Sequence, residues 1–350
     1  MSAGLPPRVV RRAVIDPLWL PVAVVLMLVL AVVTAVSGAV GLLLFPVFRR
    51  HRVLRLSTLA LCYVGIDAVL VLGAFALWVR RPLRRQQDVT WRSQHARLLG
   101  WALNTLQSVA ARCLGYRVEP ARLPELAREE GPLLVFARHA GPGDSFTLVS
   151  LLISRYERLP RVVLKEALRW DPGLDIVLTR LSCYFLPSRS GAGEDRVEAV
   201  GALAAGLQGR DALLLFPEGG NWTPRRHRRA VMRLFRAGQQ RRAWRARRMR
   251  RVLPVRPGGA VACLQSNPEA DVLVIAHCGL DTLVNPRQMW QALPLRDTQM
   301  TLHGWAHPAR DVPRETDAAL AWLDAQWVKV DAWVAEQNEA VPAMTEAAHS

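Results

Sequence analysis

The chain has 350 residues, a formal net charge of +17 and a hydrophobic share of 51%, high for a soluble enzyme and low for a polytopic transporter. Lysine occurs only at positions 165 and 329, so the other 44 of 46 basic residues are arginine, and the choice of Arg over Lys at any one site carries little weight. The five cysteines (Cys62, Cys113, Cys183, Cys263, Cys278) are scattered, with no C-x-x-C, which speaks against a disulfide framework or a structural zinc and fits a reducing compartment.

No charged residue lies between Pro17 and Phe48, and Leu56 to Val79 is interrupted only by Asp67. Each run exceeds the about 20 apolar residues that cross a bilayer core. Together they predict a helical hairpin over residues 1–85, joined by FRRHRVLR. Seven arginines flank the hairpin (8, 11, 12, 80, 81, 84, 85) and four lie in its connection (49, 50, 52, 55), which favours both ends in the cytoplasm. A hairpin that dips into one leaflet is the other reading; it explains basic residues on all sides and relieves Asp67 of a place at the bilayer centre. Asp67 itself is read as neutralised or held in a bundle.

Asp88 to Cys113 has helical apolar spacing and predicts an amphipathic helix over the globular part or on the membrane surface. The globular part, residues 86–335, alternates strands and helices. GYRVE, LLVFA, VVLK, LSCYFLP, ALLLF, VLPVRP, DVLVIAHCG and QMTLHGWA read as strands, with helices after Asp144 and over RVEAVGALAAGL. That order predicts an α/β fold, a largely parallel central sheet flanked by helices and preceded by the membrane hairpin. Functional residues of such sheets gather at strand ends. Residues 336–350 read as a frayed tail.

The stretch PLLVFARHAGPGDSF, Pro132 to Phe146, combines strand end, tight turn and helix start. A turn there brings the Asp144 carboxylate to one nitrogen of His139 and leaves the other as a general base for a hydroxyl proton. A loop histidine beside a helix-capping aspartate is the alternative. Further strand ends carry Lys165 (before Glu166), Arg189 in YFLPSR, Glu218 and Gly219 in FPEGG, and Pro254 and Pro257 in VLPVRP. His277 and His303 lie on strand-like segments and read as packed or surface histidines rather than ligands, and no metal-ligand spacing appears.

In this order, H-x-x-x-x-D, an apolar run ending in Arg, F-P-E-G and a V-P-x-x-P-like block resemble the signatures of the glycerolipid acyltransferases, which include the lysophosphatidic acid acyltransferases. The resemblance spans about residues 115–310. It implies transfer of a fatty acyl group from acyl-CoA, or from acyl carrier protein, to the hydroxyl of a lysophospholipid. It gives His139 the role of base and Asp144 that of orienter, and it needs no cofactor beyond the thioester co-substrate. It also implies that Arg189, Glu218 and Gly219 bind the acceptor head group, and that Pro217 and Pro257 shape the site. This sequence departs from the family after F-P-E-G, where the text is Gly220-Asn221-Trp222-Thr223-Pro224 and the first arginines are Arg225 and Arg226. The phosphate-binding arginine is then either displaced or supplied by that pair. The FPEGGNWT form resembles members acting on larger lysophospholipids.

Residues 225–251 contain 13 arginines and no acid, interleaved with Val231, Met232, Leu234, Phe235 and Trp244. A basic amphipathic helix of this kind suits anionic lipid head groups or the phosphates of coenzyme A; a solvated charged insertion is the plain alternative. The high pI raises nucleic acid as a partner, but no nucleic-acid module is visible. The expected setting is the cell membrane, with the catalytic domain on its cytoplasmic face. Two rival readings stay open: a GDS-type hydrolase using Ser145, though neither a later D-x-x-H nor G-x-S-x-G occurs, and a non-catalytic membrane scaffold.

Overall fold

The computed structural model describes residues 6–43, 51–84, 88–119, 123–126, 130–141, 143–186, 193–279, 286–295 and 298–347. The first helix, α1 (Arg8–Leu43), contains a π-helical turn at Arg11–Ile15. Its apolar side chains stay exposed; Leu18, Val25, Leu28 and Val32 are all more than half accessible. Helix α2 (Arg52–Arg84) differs, because it buries Ile66, Leu70, Val71 and Ala74 in the main core. Both are long and apolar enough to cross a membrane by length and composition. They fit the expected hairpin, and this pair near the N-terminus suits membrane association.

Helix α3 (Asp88–Leu114) packs over the globular part and buries Trp91, His95, Leu99 and Leu103. Helix α2 lies along it. At the start of α2, Arg52 donates to the Gln291 carbonyl (3.0 Å) and Arg55 to the Cys113 carbonyl (2.8 Å). Further along, the buried Asp67 carboxylate accepts the Gly173 amide (3.0 Å), and Arg180 donates to the Ala74 carbonyl (2.6 Å). Arg11 of α1 reaches the same region, pairing with buried Asp175 at 3.1 Å.

Seven strands form one sheet: β1 (Arg117–Val118), β2 (Leu133–Ala137), β3 (Leu159–Lys165), β4 (Tyr184–Leu186), β5 (Asp211–Leu215), β6 (Asp271–Cys278) and β7 (Gln299–His307). Their order across the sheet is β1-β7-β6-β2-β5-β3-β4, parallel throughout except where β7 runs antiparallel to β6. The central strands β2 and β6 are buried at every residue, as expected where helices cover both faces. Each leucine or valine there contributes about 1.5–3 kcal/mol by leaving water. Along β2, Leu133, Val135 and Ala137 face one core with α3, α4 (Asp144–Ser154) and α5 (Pro172–Arg180). Leu134 and Phe136 face a second core on the other side of the sheet.

The second core is covered by α6 (Gly193–Ala205), α7 (Pro224–Arg236), α8 (Gln240–Arg248), α9 (Pro257–Ser266) and α11 (Thr316–Ala347), with a short α10 (Pro286–Ala292) elsewhere. The arginine segment is therefore two helices, divided at Gly238, whose φ of +71° ends the first. VLPVRP is not a strand. Its amides go elsewhere: Val252, like Arg251 before it, donates to Asp331, Leu253 to Glu218 and Arg256 to the Pro217 carbonyl, while Pro254 has none to give. Helix α11 continues to Ala347, so most of the stretch read as a frayed tail, residues 336–350, is helical.

Candidate active site

Strand β2 ends at Ala137, and Arg138 turns its guanidinium back into the fold, donating to the His277 (2.6 Å) and Arg251 (2.8 Å) carbonyls. That anchors the next residue, His139. The chain then turns through Gly143, whose φ of +100° favours glycine, and α4 begins at Asp144. Asp144 Oδ2 accepts the amides of Ala140 (2.7 Å) and Gly141 (2.6 Å), so the carboxylate folds the turn onto itself. The same oxygen lies 3.5 Å from His139 Nδ1. Asp144 is 2% exposed and the His139 side chain 28%, so the imidazole keeps one edge on the carboxylate and turns the other to solvent-accessible space. Its ring also packs on Phe216, with centroids 4.7 Å apart.

A second histidine meets this carboxylate. His277 Nε2, on neighbouring β6, is 3.6 Å from Asp144 Oδ2 and donates to the Arg138 carbonyl at 2.8 Å. Burial alone would raise the Asp144 pKa, but the charge of His277, the contact with His139 and the two amides outweigh it and hold the carboxyl below its ordinary value. Nothing local in the chain marks this neighbour. It follows from the β2–β6 register, in which Ala137 sits opposite Ile275.

Strand β5 delivers the next turn, Phe216 to Gly219, closed by the Gly219 amide on the Phe216 carbonyl (3.0 Å). Gly219 has φ +66°, and a Cβ there would stand 2.9 Å from Arg256 Cδ. Glu218 is 1% exposed. One carboxylate oxygen accepts the His139 amide (3.0 Å) and the other the Leu253 amide (2.7 Å). The Glu218 carboxylate thus ties three segments together, and the Gly219 amide is taken up within its own turn. Burial pushes the Glu218 carboxyl up to about 7, against the pull of the Leu253 amide, Arg138 and the His139 amide.

His139 opens into a cavity of about 1020 Å³ that passes over the ends of β2, β5 and β3. On the side of the first core it is lined by Leu99, Leu103, Val149, Val162, Leu174 and Leu178. On the side of the second core it is lined by Val200, Leu215, Leu234 and Val255 together with a cluster of arginines, Arg226, Arg229 and Arg233 of α7 and Arg256. Residues 120–259, which hold His139, Asp144 and Glu218 but not His277, match the family model described as Acyltransferase. Residues 120–259 thus form an acyltransferase-family domain. Comparison with curated proteins and with solved structures gave no match.

Within the acyltransferase domain, Lys165 at the end of β3 is exposed and lines the cavity, as do Pro217 and Pro257, the first residue of α9. Arg226 lines it too, held by the Asn221 carbonyl at 3.1 Å, whereas Arg225 is exposed at the start of α7 and is not part of the lining. Arg189 lies outside the described residues. Ser145 lines the cavity, and among the described residues no histidine hydrogen-bonds its hydroxyl. Among the described residues no cluster of His, Cys, Asp and Glu is arranged to hold a metal ion.

Proposed function

We propose that the protein is a membrane-associated enzyme that moves a fatty acyl group from an acyl-CoA or acyl carrier protein thioester to the hydroxyl of a lysophospholipid such as 1-acylglycerol-3-phosphate. The observation that carries this reading is the junction at His139: an imidazole backed by a buried carboxylate opens onto a cavity that is largely apolar and carries a cluster of arginines. The apolar lining suits an acyl chain and the arginine cluster suits phosphate. In the reaction, His139 Nε2 takes the proton of the acceptor hydroxyl as its oxygen attacks the thioester carbonyl. Asp144 stabilises the imidazolium so formed. The tetrahedral adduct collapses by breaking the carbon–sulfur bond, and the departing thiolate takes the proton back from His139. The new ester and the free thiol leave. Glu218 acts at one remove, through the His139 backbone.

The exposed apolar surface of α1 supports attachment to a bilayer. Because α2 is fastened to the domain near both ends, a hairpin dipping into one leaflet fits better than one that crosses. Crossing would carry α3, with Arg92, Arg97 and Arg112, into hydrocarbon. The flanking arginines favour the cytoplasmic face.

The test uses membranes from cells making the unmutated protein or His139→Ala, given labelled acyl-CoA and a panel of lysophospholipids. The expected result is a labelled diacyl lipid with the unmutated protein and a loss of at least about 100-fold in the variant. Label released as free fatty acid, and lost in Ser145→Ala, would instead support hydrolysis.

A further inference from the structure

The two helices of the arginine segment use their charge differently. On α8, Arg242 makes paired bonds to Asp324 of α11 (2.7 and 3.0 Å), and Arg245 lies 3.6 Å from the same carboxylate. These arginines fasten the segment to the domain. Val231, which is buried, and Leu234 and Phe235 on α7 pack into the second core, and His227 bonds the Ala246 carbonyl at 2.9 Å, so α7 is held rigidly. What α7 presents to the cavity is a stripe at helical spacing, Arg226, Arg229 and Arg233, with Arg256 facing it from the segment before α9. Among the described residues, Arg229, Arg233 and Arg256 have no ion-pair partner. The like charges press on one another: burial first, then Arg233 and Arg226, lower the pKa of Arg256. A folded protein keeps such a cluster preorganised only at a cost, which a bound polyanion relieves.

We infer that Arg226, Arg229, Arg233 and Arg256 form the site for the clustered phosphate groups of the acyl donor's coenzyme A. The inference rests on the acyltransferase reading, which requires the thioester carbonyl at His139. With the chain in the apolar part of the cavity, the carrier leaves through the cationic part. Several clustered guanidinium groups match several phosphates. The head-group phosphate of the lysolipid offers the same chemistry with fewer charges. A carrier protein would meet outward-facing arginines such as Arg228, not those turned into the cavity.

The test compares the full chain with Arg229→Ala/Arg233→Ala and with Arg228→Ala/Arg248→Ala, which removes the same charge from exposed positions outside the cavity. Steady-state kinetics use palmitoyl-CoA, palmitoyl-pantetheine, which lacks the clustered phosphates, and phosphorylated and unphosphorylated acceptors. The cavity variant is expected to raise KM for palmitoyl-CoA about tenfold or more, leave KM for palmitoyl-pantetheine unchanged and keep kcat within about twofold. Arg229→Lys/Arg233→Lys restores part of the loss, and the outer variant behaves as unmutated. A rise confined to the phosphorylated acceptor assigns the cluster to the acceptor and overturns the inference, as does an equal rise for both donors or activity with acyl carrier protein alone. Calorimetric binding of coenzyme A separates this from the parent reading. If no acceptor is acylated but coenzyme A binds and the cavity variant weakens it, the site stands while the acyltransferase assignment falls. If coenzyme A does not bind the unmutated protein, the inference falls.

Discussion

Glu218 shows how one side chain joins segments far apart in sequence. Its carboxylate holds the His139 amide on one oxygen and the Leu253 amide on the other. Its folded pKa, about 7, lies above the ordinary 4.5, so between those values the folded protein keeps a proton that the unfolded chain has released. Stability contributed by this group is then full below about pH 4.5 and declines as pH rises toward 7. Thermal unfolding across that range should show the decline in the unmutated protein and not in Glu218→Gln, which does not titrate. Equal slopes in both would mean that the carboxyl is not held protonated. The His139–Asp144 pair was legible in the sequence because both residues sit in one short turn. The placement of Glu218 and His277 around that turn was not. Arg138 and His277 are 139 residues apart, and only the register of two parallel strands brings them together.

At the scale of elements, the parallel sheet and its helices follow from alternating apolar runs and turn residues, and those signals are local. VLPVRP misleads because an apolar run bounded by prolines has the composition of a buried strand; it is the destination of its amides, on β5's turn and on α11, that makes it an extended strap. The arginine segment reads as one basic helix, and its division follows from Gly238, which alone of the local residues adopts a left-handed backbone. The contact between α2 and α5 is equally tight and equally hidden. Gly173 gives its amide to Asp67, and a Cβ there would stand 2.1 Å from the Asp67 carboxylate. Gly173→Ala is expected to lower stability by about 1–3 kcal/mol by forcing α2 outward, read as a drop in the unfolding midpoint. An unchanged midpoint would mean that the α2–α5 junction is loose.

At the scale of the whole molecule, attachment through the apolar surface of α1 should survive salt. Membranes washed in high salt are expected to keep the protein, because screening weakens contacts between exposed charges and leaves apolar insertion in place. Release by salt would shift the attachment to the outer arginines of α7 and α8. The two arms of the hairpin also differ in what they ask of their sequences. Helix α1 buries little against the protein, so most of its positions accept any residue that stays apolar, and neutral substitution can rewrite it freely. Helix α2 is read by the globular part at Arg52, Arg55, Asp67 and Ala74, so its alphabet is narrow. A library of random variants selected for growth would therefore find two different grammars in one hairpin. The outer arm would be spelled by the lipid and the inner arm by the enzyme.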